Sequence, residues 1–293
     1  MQTRSIGNDT VGHVAVGAIG LGLMTFDQDG QHPREQLLGT VRSAVDAGVT
    51  LFDTADAYGF GDRGTEANGA NERLIASLLD EAGLRDEVLL ATKAGHVRTD
   101  DGGWGLDSSR EHLLAAVDAS RERLGVDAID LWQHHRPDPA VPYEEVLGTL
   151  KEVHDSGKVR MVGLSNADPA QIRQAHEVLG SALVSVQNQF SPAFRSSAPE
   201  IEVCAELGLA FLPWSPLGGL SDAKALGENH PAFAEIATER GVSPQQLALA
   251  WELAQSPCVI PIPGAKRPGS IRDSALAADL QLTDDELRRL DAS

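Results

Sequence analysis

Cysteine is nearly missing from this chain. Cys204 and Cys258 are the only two in 293 residues, which excludes a disulfide framework and points to a reducing cytoplasm. Aromatic residues are scarce at 4%, so no adhesive surface stands out and a monomer is the default expectation. No apolar run reaches the roughly 18 residues that cross a bilayer, and the opening MQTRSIGNDT lacks the apolar stretch of a signal peptide. Positive charge is in deficit as well. A formal net charge of −19 argues against nucleic acid or an anionic membrane as partner. An anionic ligand would need a local basic pocket, and Lys266-Arg267 is the short basic pair placed for one. Lysine is the rarer cation, 5 against 19 arginines, so a lysine inside an apolar β run is not expected by chance.

What is present is a regular alternation. With 42% hydrophobic residues the chain can bury a large core. Apolar or β-branched runs predict strands near 16–23, 50–55, 87–93, 129–135, 159–165, 183–188, 209–215 and 258–262. Amphipathic patterns predict helices near 33–47, 70–82, 108–124, 143–156, 168–179, 199–207, 243–255, 268–278 and 283–291. Ser108/Glu111 and Thr283/Glu286 have capping-box spacing, and Asp168-Pro169 and Ser243-Pro244 set a cap before a first-turn proline. Gly48, Gly83, Gly125, Gly157, Gly180 and Gly208 sit where left-handed helix ends are expected. Eight such units predict an α/β fold, a (β/α)8 TIM barrel with an N-terminal β-hairpin cap over 1–15 and C-terminal extra helices. No Pro- or Ser-rich linker divides it, so one domain over 1–293 is expected, with a long insert at 217–240 carrying a helix near 231–240.

Four ionisable groups fall where barrel chemistry resides, at the C-terminal ends of strands or just beyond. They are Asp53 and Tyr58 in LFDTADAYG, Lys93 in VLLATKAG and His135 in IDLWQHHRPD. A buried Lys–Asp pair beside a phenol would lower the phenol's pKa and let it shuttle a proton near neutrality. The plainer alternatives are a loop cap for Asp53 and loop packing for Tyr58. Lys93 is harder to dismiss, because a buried ammonium needs a partner. His134 beside His135 raises a metal site, but consecutive strand residues face opposite ways, and no metal is expected. GFGDRG at 59–64 spells a dinucleotide fingerprint without the helix it must open, and is read as a loop. GAIGLG at 17–22 has the wrong spacing, although Gly20 and Gly22 would let a ligand approach the backbone.

LFDTADAYG, GANERLIASLL, VLLATKAG, IDLWQHHRPDP, SGKVRMVGLSN, VQNQFS, LPWSPLGG and VIPIPGAKRP, in that order, resemble the aldo-keto reductase superfamily. The likeness is to the bacterial branch related to potassium-channel β-subunits and to pyridoxal and aldehyde reductases. It implies that Tyr58 donates a proton to a carbonyl, that Lys93 paired with Asp53 depresses its pKa, and that His135 positions the substrate oxygen. It further implies a nicotinamide cofactor held without a Rossmann fold. Ser165, Asn166 and Gln187 would hold its carboxamide and Trp214 would stack on the ring. Ser215, Leu217 and Gly219, with Gly22, would follow the pyrophosphate, and Gly264, Lys266, Arg267 and Asp273 the adenosine end. Two cations there favour NADP(H) over NAD(H). Asp273-Ser274 departs from the family's Glu-Asn. Met24, Phe26, Trp104 (on a flexible loop), Trp132 and the 217–240 insert are the expected substrate-pocket walls. The implied activity is reduction of a small-molecule aldehyde or ketone. The alternatives are a redox-sensing NADPH-binding regulatory subunit with slow turnover and a non-redox (β/α)8 isomerase.

Overall fold

The computed structural model describes residues 1–26, 32–59, 67–219 and 222–293. Strands β1 (Thr3–Asn8) and β2 (Gly12–Gly17) pair antiparallel as a hairpin. Then come β3 (Leu21–Gly22), β4 (Leu51–Asp53), β5 (Leu89–Ala94), β6 (His96–Arg98), β7 (Trp104–Leu106), β8 (Ile129–His134), β9 (Val159–Ser165), β10 (Leu183–Gln187) and β11 (Ala210–Phe211). A seven-stranded parallel sheet runs β11-β10-β9-β8-β5-β4-β3. A second antiparallel hairpin, β6–β7, interrupts it after β5. Helices α1 (Arg34–Asp46), α2 (Ala70–Ala82), α3 (Arg110–Leu124), α4 (Tyr143–Asp155), α5 (Pro169–Leu179) and α6 (Ala198–Leu207) connect the parallel strands. The C-terminal part holds α7 (Asp222–Asn229), α8 (Pro231–Arg240), α9 (Pro244–Gln255), α10 (Pro268–Leu276) and α11 (Asp284–Asp291).

Three expected strands come out differently. The run at 16–23 divides between the end of β2 and β3. The run at 258–262 forms no regular strand, because Pro257, Pro261 and Pro263 have no N–H to give a continuous ladder. It pairs through the donors that remain. Phe211 N donates to Cys258 O and Ile260 N to Phe211 O on one side; Gly20 N donates to Pro261 O and Gly22 N to Pro263 O on the other. Both edge strands of the sheet are thus hydrogen-bonded to the same segment. A Cβ on Gly22 would lie 2.8 Å from the Ile262 carbonyl, so this close approach requires glycine. Pro213 likewise ends β11 at Phe211, short of the expected 215.

Side chains alternate across the sheet and separate two cores. Phe52, Trp132, Val162 and Val186 pack outward against Ile75, Val117, Leu150 and Ile172 of the helices. Leu51, Leu89, Ala91, Leu131, Met161 and Val184 form a second buried cluster on the other face, together with Ile6 and Val16 of the first hairpin. Local start signals hold where they compete with nothing. Asp168 with Gln171 and Thr283 with Glu286 form reciprocal capping boxes, and Ser243 accepts from Gln246 N. At α3 the cap is Ser109, accepting from His112 N, rather than Ser108. Ser108 is drawn away by His134, whose Nε2 lies 2.8 Å from its hydroxyl. Among the described residues no helix is long and apolar enough to cross a membrane.

Candidate active site

Register between neighbouring parallel strands assembles the site. Asp53 ends β4 opposite Ala91 of β5, and Lys93, two residues on, points to the same face. Lys93 is opposite Gln133 of β8, and His135 again lies two residues further. Tyr58 comes in from the loop that follows β4. Lys93, fully buried at 0% exposure, donates from Nζ to Asp53 Oδ2 at 2.6 Å, to Thr54 O at 2.8 Å and to the Tyr58 hydroxyl at 3.4 Å. The His135 ring stands edge-on to Tyr58, centroids 5.6 Å apart. All four residues singled out in the sequence therefore converge.

Gln133 was not foreseen, and Gln187 was expected only beside a carboxamide. Gln133 and Gln187 both donate to Asp53 Oδ1, at 3.0 and 2.9 Å, so the buried carboxylate has a donor on each oxygen. Gln133 was visible only as alternation in D-L-W-Q-H, one place in phase with Leu131. It fits because Gly163 lies alongside: a Cβ there would meet Gln133 Cγ at 2.8 Å and Ser185 Oγ at 2.5 Å. Behind the strands, buried Glu72 accepts from Thr92 Oγ1 at 2.6 Å and from Arg123 Nε at 2.5 Å, which ties α2 and α3 to β5.

The electrostatics correct one expectation. Burial pushes the Tyr58 phenol up; Lys93 pulls it down and Asp53 pushes it up again, and the net direction is upward from the ordinary value. The ammonium moderates a desolvation penalty rather than producing an unusually acidic phenol. Burial alone would lower Lys93, but Asp53 and Tyr58 prevail and its pKa is raised. Burial first, then Lys93 and neighbouring cations, hold His135 well below the usual histidine range, so it is neutral at pH 7. Its buried Nδ1 has no hydrogen-bond partner among the described residues. His134 faces the helices, bonded to Ser108 and held to about 4 by burial, so the two histidines do not share one side.

The residues expected around a nicotinamide form one connected group. Ser165 Oγ donates to Gln187 O at 2.7 Å. Asn166 Nδ2 donates to His135 O and to Ser165 Oγ, each at 3.0 Å, and Asn166 Oδ1 accepts from Trp214 Nε1 at 3.2 Å. Asn166 and Ser215 have positive φ, 58° and 50°, rare for residues with a side chain and concentrated at ligand loops. Ser215, Leu217 and Gly219 follow on the turn after Trp214, half-buried. Gly22 and Gly264 bridge to each other, and Arg267 is the exposed N-cap of α10, next to half-buried Lys266. Asp273 is tied into the fold instead, its Oδ2 accepting from Ser243 Oγ at 2.6 Å.

The expected pocket walls divide. Met24 is half-buried on the short turn after β3. Trp132 is not a wall. It is fully buried in the outer core, because its place in β8 is out of phase with Leu131 and Gln133. Phe26 is buried in that core too. Trp104 belongs to strand β7 rather than a flexible loop, stacked on His96 at 4.4 Å and 3.6 Å below the Arg98 guanidinium. The T-D-D-G-G stretch between β6 and β7 was the signal for this hairpin. In the 217–240 insert the expected helix is α8 and α7 is additional; residues 220–221, and 60–64 of GFGDRG, lie outside the described residues.

Comparison with known proteins shows the family. The family model described as the aldo/keto reductase family matches residues 18–293. The chain is 32% identical to aldo-keto reductase yakc, NADP(+), of Schizosaccharomyces pombe, over 99% of this chain and 90% of that protein. It is 35% identical to a 6-dehydroglucose reductase of Novosphingobium aromaticivorans, over 91% and 88%. A solved aldo/keto reductase from Klebsiella pneumoniae, in complex with NADP and acetate, superposes with a TM-score of 0.78 at 26% identity, covering 95% of this chain and 92% of that one. A thermostable aldo-keto reductase solved with the inhibitor epalrestat gives 0.80 at 26% identity, over 100% and 99%.

Proposed function

Because the chain belongs to the aldo/keto reductase family, we propose that it is an NADP(H)-dependent enzyme reducing an aldehyde or ketone to an alcohol, with Tyr58 as proton donor. The observation that carries this is the contact of one buried ammonium with both the Asp53 carboxylate and the Tyr58 hydroxyl, beside a neutral imidazole. We read 258–264 as the eighth stave of a (β/α)8 barrel, the first hairpin as its cap, and the chain as one cytoplasmic domain with two unpaired cysteines.

The residues present suit the cofactor. Hydroxyl and amide groups on Ser165, Asn166 and Gln187 match a carboxamide, and Trp214 offers a ring beside them. The turn at Ser215, Leu217 and Gly219, with Gly22 and Gly264, is where backbone would follow the pyrophosphate. Lys266 and Arg267 at the start of α10 suit a 2′-phosphate. NADPH, when bound, supplies the hydride. Asp53, held by Gln133 and Gln187, keeps Lys93 charged. Lys93 orients the Tyr58 hydroxyl and limits the penalty of moving its proton. A phenol with a raised pKa keeps that proton through neutral pH, the state needed for donation. His135, uncharged, is left to orient the substrate oxygen.

The test is a panel of carbonyl compounds with NADPH and NADH side by side, run on the wild type and on Tyr58→Phe. NADPH-dependent turnover that disappears in Tyr58→Phe while cofactor still quenches tryptophan fluorescence is expected. Most of the turnover surviving that substitution would remove the proton-donor role. Tight NADPH binding with negligible turnover on every carbonyl would favour a regulatory subunit.

A further inference from the structure

Tyr58 lies on a loop, and a phenol that must meet a substrate oxygen needs its backbone held. The carbonyls on either side of it bond to a single side chain. Arg98 of β6 donates from Nε to Ala57 O and from Nη2 to Gly59 O, each at 3.3 Å, and from Nη1 to Gly102 O of its own hairpin at 3.4 Å. The guanidinium is buried, with the Trp104 indole 3.6 Å from it. That indole stacks on His96 at 4.4 Å, and the His96 ring stands edge-on to His135 at 5.0 Å. His96 is held to about 4 by burial and then by Arg136 and Arg98, so it stays uncharged beside the guanidinium. A circuit of contacts therefore runs from the Tyr58 loop through the hairpin to His135.

Shape alone does not call for a cation here. An apolar side chain would also close a hairpin against a loop, without the cost of desolvating a guanidinium. What an apolar residue lacks is a rigid planar fork that reaches two carbonyls two residues apart. We propose that Arg98 is a positioning residue for the reaction: it fixes the Tyr58 loop through the carbonyls that flank it, and Trp104 and His96 carry that restraint to His135. The β6–β7 hairpin thereby sets the separation of the two side chains that face the substrate oxygen. The inference rests on the roles of Tyr58 and His135 proposed above.

The experiment compares Arg98→Met, Arg98→Lys, Arg98→Ala and Trp104→Phe with Tyr58→Phe. Arg98→Met should lower kcat about ten- to a hundred-fold, as expected for a small misplacement of a reacting group, with NADPH affinity within about two-fold of wild type. Arg98→Lys should stay low, since an ammonium cannot span both carbonyls. Trp104→Phe, which keeps a ring under the guanidinium, should lose less kcat than Arg98→Met. Low guanidinium concentrations should restore part of the kcat of Arg98→Ala and none of Tyr58→Phe. A readout independent of turnover uses the small number of tyrosines. The chain has two, so in a Tyr143→Phe background tyrosinate absorbance reports Tyr58 alone. Arg98→Met should lower its titration toward the ordinary tyrosine value as the loosened loop lets the ring reach water.

Wild-type kcat in Arg98→Met overturns the inference. So does a loss without guanidinium rescue and with an unmoved Tyr58 titration, which marks Arg98 as structural only. If Tyr58→Phe keeps its turnover, the proton-donor reading fails first. If Tyr58→Phe is inactive and the Arg98 variants are normal, only the positioning role fails.

Discussion

Replacing Lys93 by methionine keeps a stem of similar length and deletes the ammonium at the centre of the site. In the wild type Nζ lies 3.4 Å from the Tyr58 oxygen and 2.6 Å from Asp53 Oδ2, all in a buried setting. At an effective dielectric of about 20, a charge at that distance favours ionisation of the phenol by about 5 kcal/mol. If the proton-transfer transition state feels half of this, the rate falls by roughly two orders of magnitude. That is within the 10²–10⁴-fold range typical of general acid catalysis. Stability falls as well. Breaking a buried pair costs about 3–5 kcal/mol, and the amides of Gln133 and Gln187 still on Asp53 put the expected loss near the lower end. For a chain of this size that is a fall of roughly 6 °C in the midpoint. NADPH oxidation with a generic aldehyde measures the first effect and calorimetry the second. Turnover within about five-fold of wild type, in a protein whose melting point has fallen as expected, would refute the electrostatic role while leaving the structural one.

Four further outcomes follow from the same geometry. Because the Tyr58 pKa is raised, carbonyl reduction should be flat from mildly acidic to neutral pH and fall only in alkali; alcohol oxidation, which needs the phenolate, should rise with pH. Because His135 is held neutral well below the usual histidine range, an acid limb near pH 6 that His135→Asn removes would contradict this assignment. Trp132→Ala should cost about 3–5 kcal/mol by opening a cavity in the outer core, yet leave KM for a carbonyl substrate nearly unchanged; a large KM effect at wild-type stability would return Trp132 to the pocket. Lys266→Ala and Arg267→Ala should each raise KM for NADPH about ten-fold and leave KM for NADH unaltered. An equal effect on both cofactors would place the 2′-phosphate elsewhere.

Much of the fold was legible because local physics decides it. The range 159–165 is exact for β9 and 70–82 for α2, since each is a run of one periodicity bounded by a stop signal. Legibility failed where prolines remove ladder donors, at 213 and 257–263, and where two groups compete for one hydroxyl, as His134 and the start of α3 do for Ser108. It failed again at the β6–β7 hairpin, whose three-residue strands are too short for a periodic signal.

The identity of the four central side chains, and their placement at or just beyond strand ends, was determined by the order of residues alone, because a strand's phase and its end are local properties. Tertiary structure decided which face each neighbour takes and what each charge experiences. Trp132 went outward and Gln133 inward by one step of alternation. The phenol's direction of pKa shift was set by how deeply the closed site buries it, since desolvation depends on everything packed around a group and not on its neighbours in sequence.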